Sequence, residues 1–391
     1  MIPYGKQEIS QQDIDAVVNV LKSDFLTQGP QVPLFEASVK QAVEADFALA
    51  VNSATSALHI ACLALEVGAG DTVWTTPITF VASANCALYC GADVDFIDIS
   101  QETYNLCPSK LELKLAEARA NNLALPKVVI AVHLCGQPCE MDKIHALSRE
   151  YGFSIIEDAS HAIGGRYKAK PIGNCEYSDI TIFSFHPVKI VTTAEGGVAT
   201  TNNPKLAKTM ELLRSHGITR DTSLMTEQSH GGWYYQQVDL GFNYRMTEMQ
   251  AALGVSQMSR LHDFVAKRNE LATRYDQLLQ GLPLIIPSQI DDSYSGRHLY
   301  VIRLQLEKIQ LSHRQVFEEL RDNGIGVNLH YIPVHTQPYY QKLGFKMGQY
   351  PESEKYYQDA ISIPLFHAMD ETQQDEVVRV LANILGDHRC D

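Results

Sequence analysis

The feature that most constrains this chain is a series of short segments that are apolar along their whole length, each followed by a stretch of helical length and period. "FALAVNS", "TVWTT", "ADVDFIDI", "KVVIAVHL" and "FSIIED" read as strands. Between them "TSALHIACLALEVG", "FVASANCALYCG", "SKLELKLAEARANN" and "MDKIHALSREYG" read as helices. A strand that is apolar at every residue has to be covered on both faces, so the pattern predicts an α/β fold with a mostly parallel central sheet flanked by helices. Two amphipathic stretches, "QQDIDAVVNVLKS" and "PLFEASVKQAVEA", precede the series, with the turn-rich "DFLTQGPQV" between them.

From "MTEMQAALG" to "YDQLLQG" the pattern predicts one helix of about 30 residues, with Thr247 as N-cap and Gly281 as stop. It leads toward a smaller C-terminal α+β domain containing "HLYVIRLQ", "SHRQVFEELRDNG", "GIGVNLHY" and a last helix "TQQDEVVRVLANILG". The expected division is a large domain over 1–265, with the N-terminal segment included, and a small domain over 266–391. In open parallel sheets, ligands bind beyond the carboxyl ends of the strands. Three strand ends therefore matter most.

The first is "VNSATSALHIA", where Asn52, Ser53, Thr55 and Ser56 open a helix. A plain N-cap accounts for such a cluster, and so does an anion cradle built on free backbone N–H groups. The second is "SIIEDASHAIGG". Here Asp158 reads either as a cap beside a solvated Glu157, or as a buried carboxylate facing a cation, with His161 on the same side as a donor. The third is "DITIFSFHPVKIVTTAEGG", in which Lys189 stands among Val188, Ile190 and Val191. Lys189 reads either as an ordinary surface lysine or as one desolvated by these neighbours, which depresses its pKa and frees its neutral, nucleophilic amine. Pro187 sets the turn that aims the amine inward. An anion cradle, a carboxylate and a desolvated lysine suit the phosphate, pyridine nitrogen and aldehyde of pyridoxal 5'-phosphate (PLP), and Phe80 offers either a stacking face or core packing.

Composition excludes other classes. Forty-six acidic residues against 32 basic give a net charge of −14, and no Lys/Arg-rich run offers a footprint for nucleic acid. No apolar stretch reaches the roughly 18 to 20 residues of a membrane helix, and the N-terminus "MIPYGKQEISQQD" has no signal-like region, so a cytoplasmic address is expected. The eight cysteines lie scattered, several inside apolar segments. His133, Cys135, Cys139 and His145 raise the question of a metal, but no second pair at zinc spacing follows; a strand end and a Gly-Pro turn account for them, and no metal is expected.

"VNSATSAL", "TTPITFVASAN", "IEDASHAIGG", "FSFHPVKIVTTAEGG", "RSHG" and "GFNYRMTEMQAALG" occur in the order and approximate spacing of the DegT/StrS nucleotide-sugar aminotransferases, and the resemblance covers nearly the whole chain. It implies a fold-type I PLP-dependent aminotransferase. Position by position it implies that Lys189 forms the Schiff base and that Asp158 pairs with the pyridine nitrogen. It also implies that His161 lies near the cofactor's 3-oxygen, that Ala54 (often Gly in the family), Thr55 and Ser184 hold the phosphate, and that Phe80 lies on the ring. Asn243 would reach the phosphate from the neighbouring subunit of a homodimer with shared active sites. Tyr4, Thr27, Gln28, Arg245, His330 and Tyr331 match segments lining the sugar-nucleotide cleft. In detail the chain is most similar to members that aminate C4 of UDP-4-keto-6-deoxy-N-acetylhexosamine (UDP-4-keto-6-deoxy-HexNAc) with L-glutamate in pseudaminic acid synthesis. A UDP-4-keto-pentose is the alternative acceptor, and a PLP-independent regulator the alternative class.

Overall fold

Seven strands form the central sheet: β1 Phe47–Val51, β2 Thr72–Thr75, β3 Asp93–Phe96, β4 Val128–Val132, β5 Ser154–Asp158, β6 Ile180–Ser184 and β7 Gly197–Thr201. The structure, a computed structural model, describes residues 1–388. The strand order is β1-β7-β6-β5-β4-β2-β3. Strands β3, β2, β4, β5 and β6 run parallel. Only β7 is reversed, antiparallel to both β6 and β1.

The continuous apolar pattern has a direct cause. Val129 and Ile155 enter a cluster with Leu111, Leu115 and Ile144, whereas their chain neighbours Ile130 and Ile156 enter the cluster on the other face with Ile60 and Val73. Both faces of the sheet are covered, so each successive side chain meets a core.

Among the described residues nine helices accompany this sheet: α1 Gln11–Leu21, α2 Gln31–Val43, α3 Ala54–Ala64, α4 Ala82–Tyr89, α5 Pro108–Ala120, α6 Met141–Tyr151, α7 Pro204–Leu213, α8 Glu248–Met258 and α9 Leu261–Leu278. The single long helix expected from Met246 to Gly281 is therefore two. Thr247 does cap it, forming a reciprocal capping box with Gln250. The break falls at Ser259, whose hydroxyl bonds back to the Ser256 carbonyl at 2.6 Å, and at Arg260, which leaves helical geometry at φ −108°. Arg260 reaches Asp13 at 2.6 Å and Glu8 at 3.2 Å, tying the α8–α9 junction to the start of α1.

The C-terminal part carries a three-stranded antiparallel sheet of Leu284–Ile285, Tyr300–Leu304 and Ala360–Ile363, with helices His313–Asp322 and Glu371–Asp387. Helix α9 joins the two cores. Leu261, Phe264 and Val265 pack with the sheet's cluster, and Leu271, Ala272 and Tyr275 with the C-terminal one. The first residues hydrogen-bond the C-terminal part, Ile2 to Gly324 and Gly326 and Tyr4 to Leu365, while α1 packs against α8. Among the described residues no helix is long and apolar enough to cross a membrane.

Candidate active site

Strand β6 ends at Ser184, and the chain then makes an excursion closed at its base by Phe185 N–H to the Gly196 carbonyl, 2.9 Å. Within it the His186 carbonyl accepts from the Lys189 N–H at 2.9 Å, which places Pro187 where a turn wants a fixed φ. Ile190 and Val191 are buried and anchor the far side. Lys189 is left half-buried, lining a cavity of about 900 Å³ at the carboxyl ends of the strands. Burial pulls its pKa down to about 8, against the opposing pull of the Asp158 carboxylate.

Asp158 closes β5 and lines the same cavity. Its Oδ2 accepts from Ser83 Oγ at 2.6 Å, and its Oδ1 from the Ser160 N–H at 3.1 Å. Ser83 Oγ lies 2.8 Å from Thr79 Oγ1 in turn. Sequence patterning did not single out Ser83 and Thr79; their four-residue spacing, flanking Phe80 and running into the start of α4, was the available signal. Glu157 is not the solvated neighbour that the capping reading requires. It is buried on the opposite face, 2.7 Å from His133 Nε2, and accepts from Ser178 at 2.5 Å and Thr181 at 3.2 Å. The other members of the suspected metal group have separate roles. His133 Nδ1 accepts from the Cys139 N–H, and His145 Nδ1 lies 3.1 Å from the Tyr177 carbonyl. Among the described residues no group of three or more His, Cys, Asp or Glu is disposed to hold a metal.

The start of α3 forms a third wall. Ser53 is its N-cap, its hydroxyl accepting from the Ser56 N–H at 3.1 Å, while Ser56 donates to Asn52 at 2.7 Å. The first-turn N–H groups of Ala54 and Thr55 precede any intrahelical acceptor and stand at the cavity wall. Gly197 explains how the strand comes so close: a Cβ there would sit 2.5 Å from the Ala54 nitrogen and the Ser53 carbonyl. Capping and free first-turn N–H groups thus coexist at one helix end.

The cavity also collects Ser184, Tyr4, Phe80, His161, His330 and Tyr331. Phe80 is 58 % exposed and is not core packing; its ring lies 6.2 Å from that of Tyr331. Four expected residues lie elsewhere. Gln28 and Arg245 line a second cavity of about 380 Å³, with Arg245 donating to Ser215 Oγ at 3.0 Å. Thr27 bridges to Thr247, and Asn243, exposed, bridges to Ser215. Within one chain none of these four borders the Lys189 cavity.

The profile of the DegT/DnrJ/EryC1/StrS aminotransferase family matches residues 7–382. The chain belongs to this family. It is 38% identical over 388 residues to the UDP-4-amino-4,6-dideoxy-N-acetyl-β-L-altrosamine transaminase of Campylobacter jejuni, covering 98% of each chain. Among solved structures it resembles Helicobacter pylori PseC, an aminotransferase in pseudoaminic acid biosynthesis, with a TM-score of 0.89 and 29% identity over 99% of both chains. A Streptococcus pneumoniae protein, Spr1654, captured in its PMP form, gives the same TM-score and identity over 99% of this chain and 100% of its own. The chain is a PLP-dependent sugar aminotransferase of this family. The cavity suits that cofactor: free helix N–H groups for a phosphate, a buried, serine-oriented carboxylate for a pyridinium nitrogen, and a depressed lysine amine for an aldehyde.

Proposed function

We propose that this aminotransferase moves the amino group of L-glutamate to the C4 ketone of UDP-2-acetamido-2,6-dideoxy-β-L-arabino-hex-4-ulose, a UDP-4-keto-6-deoxy-HexNAc. The products are UDP-4-amino-4,6-dideoxy-N-acetyl-β-L-altrosamine and 2-oxoglutarate. The observation that carries the reading is a depressed Lys189 amine facing Asp158 in one cavity, in a chain that aligns end to end with the C. jejuni transaminase.

When bound, PLP carries the amino group between donor and acceptor and takes up the electron pair released at the reacting carbon. The chain's own residues do the rest. Ala54 and Thr55 bind the phosphate through their N–H groups, with Ser184 beside them, and so fix one end. Asp158, held by Ser83 and Ser160, stays an acceptor-only carboxylate and favours a protonated ring nitrogen. Phe80, exposed at the mouth and without a core to fill, covers a ring face. Lys189 holds the aldehyde end and, once freed by the donor, its neutral amine takes the donor's α-proton and returns a proton to sugar C4. A pKa of about 8 leaves that amine partly neutral at working pH and its conjugate acid strong enough to give the proton back.

Asn243, Arg245, Thr27 and Gln28 lie away from this chain's cavity, which fits a homodimer in which Asn243 and Arg245 serve the neighbouring subunit's site. Arg245 suits the substrate diphosphate by its bidentate geometry. Tyr4, His330 and Tyr331, from the N-terminal and C-terminal segments, line the same cavity and would meet the sugar there. The test is amination of both C5 epimers of UDP-4-keto-6-deoxy-HexNAc, a UDP-4-keto-pentose and a dTDP-4-keto sugar with glutamate, with products read by NMR. The expected result is preferred conversion of the L-arabino epimer to a 4-amino product; preferred conversion of the pentose or the dTDP sugar overturns the substrate assignment.

A further inference from the structure

Two hydroxyls stand where a helix start calls for a cap, and neither serves as one. Val81, the N-cap of α4, makes no side-chain hydrogen bond, although Thr79 and Ser83, of residue types that cap helices, flank it. Both are buried, and their hydroxyl oxygens lie 2.8 Å apart. Ser83 Oγ continues to Asp158 Oδ2 at 2.6 Å. A carboxylate only accepts, so Ser83 is the donor in that contact. Its single proton is then spent, and Thr79 is the donor to Ser83. The chain of hydroxyls therefore has one direction, from Thr79 through Ser83 to Asp158.

This chain fixes the freedom that the sheet leaves to Asp158. The backbone is held on both sides: the Asp158 carbonyl accepts from the His133 N–H at 3.0 Å, and the Ala159 N–H donates to the Ile182 carbonyl of β6 at 2.8 Å. The carboxylate is held at both oxygens, Oδ2 by Ser83 from α4 and Oδ1 by the Ser160 N–H at 3.1 Å. Turning it about the Cβ–Cγ bond breaks one of the two, while each oxygen keeps a lone pair for a further donor. Thr79, Phe80 and Asp158 line the cavity, and Ser83 is not among the described residues that do. Whatever Ser83 does for a ligand, it does through Asp158.

We propose that Ser83, oriented by Thr79, is a positioning residue for the amino transfer: it aims the Asp158 carboxylate at the pyridine nitrogen of bound PLP and keeps the shared proton on that nitrogen. The inference rests on the placement of Asp158 at the pyridine nitrogen. A carboxylate that loses a donor holds a proton more strongly. Without Ser83 the shared proton is drawn toward the carboxylate, and the ring loses the positive charge that makes it an electron sink. Hydrogen bonds in a buried chain polarise one another, so Thr79 strengthens the donation by Ser83. Thr79, Phe80 and Ser83 lie within five residues, so one short segment supplies both the cover of the ring and the orientation of the carboxylate.

The test is nitrogen-15 NMR of the protein loaded with PLP labelled at the ring nitrogen. The native protein is expected to show a protonated nitrogen, Ser83→Ala a signal displaced toward neutral pyridine, and Ser83→Thr, which keeps the hydroxyl, the native signal. Thr79→Val keeps the shape of the side chain and removes its hydroxyl. It is expected to displace the signal in the same direction by less, and to add nothing in the Ser83→Ala background. The glutamate half-reaction of Ser83→Ala is expected to slow by about tenfold, the factor that one hydrogen bond carries, with KM for glutamate unchanged. A signal that ignores both Ser83→Ala and Thr79→Val, or that the two displace additively, overturns the proposal. Asp158→Asn tells the two failures apart. A signal that moves with Asp158→Asn but not with Ser83→Ala removes only the role of Ser83, whereas a signal that ignores Asp158→Asn as well removes Asp158 from the pyridine nitrogen and the proposal with it.

Discussion

The depressed amine of Lys189 makes the sharpest quantitative demand. Its ordinary value of 10.5 falls to about 8 on burial. At pH 7 an ordinary lysine is neutral in about one molecule in 3,000, whereas a group with a pKa near 8 is neutral in about one in ten. The neutral form is therefore enriched about 300-fold, and it is the form that attacks a carbonyl. Because Asp158 pulls the value upward against burial, Asp158→Asn should lower it further. The assay is competitive labelling of the PLP-free protein with trace fluorodinitrobenzene across pH 6 to about 11, with Lys189 followed by peptide mass spectrometry and exposed lysines such as Lys205 as the internal reference. The Lys189 labelling curve should have its midpoint near pH 8, and Asp158→Asn should move it lower. A midpoint near 10.5 would refute the desolvation argument and with it the physical basis for choosing this lysine.

Three further outcomes follow from the same geometry. Lys189→Met should stabilise the PLP-free protein to urea by roughly 1 to 3 kcal/mol below pH 8. Since the folded pKa lies below the unfolded one, this gain should fade between about pH 8 and 10.5, and a gain constant with pH would contradict it. Glu157→Ala should cost about 1.5 to 3 kcal/mol in denaturant unfolding by leaving the His133 N–H and the Ser178 and Thr181 hydroxyls buried without their acceptor. Gly197→Ala should weaken PLP binding, read by titration of absorbance, by at least about tenfold, because the added methyl collides with the Ala54 nitrogen at the phosphate cradle; unchanged affinity would remove the cradle from the account.

Much of this architecture is legible in sequence because buried parallel strands leave a mark that needs no partner to read: Val129–Ile130 and Ile155–Ile156 are apolar pairs since consecutive residues feed opposite cores. Lys189 is legible for the same local reason, lying beside Ile190 and Val191. What stays hidden depends on distant partners. The α8–α9 break follows helical periodicity on both sides, and the groups that hold it, Glu8 and Asp13, are about 250 residues away in the chain. Ser83 reaches Asp158 across 75 residues, and Glu157 is buried only because His133 meets it from β4's exit. The engagement of both His161 nitrogens likewise depends on Cys135 and Tyr331, the second of them 170 residues on. Arg245 and Gln28 sit on or beside β-bridged segments that leave them on a second cavity, a placement fixed by partners distant in sequence.

The most direct measurement of the central claim is isotope transfer. The PLP-loaded protein would be incubated with nitrogen-15 glutamate and UDP-2-acetamido-2,6-dideoxy-β-L-arabino-hex-4-ulose beside a Lys189→Ala variant. The account predicts nitrogen-15 bonded to C4 of the sugar with an equal amount of 2-oxoglutarate, and neither with Lys189→Ala. Label absent from C4 with the native protein, or label transferred catalytically by Lys189→Ala, would contradict it.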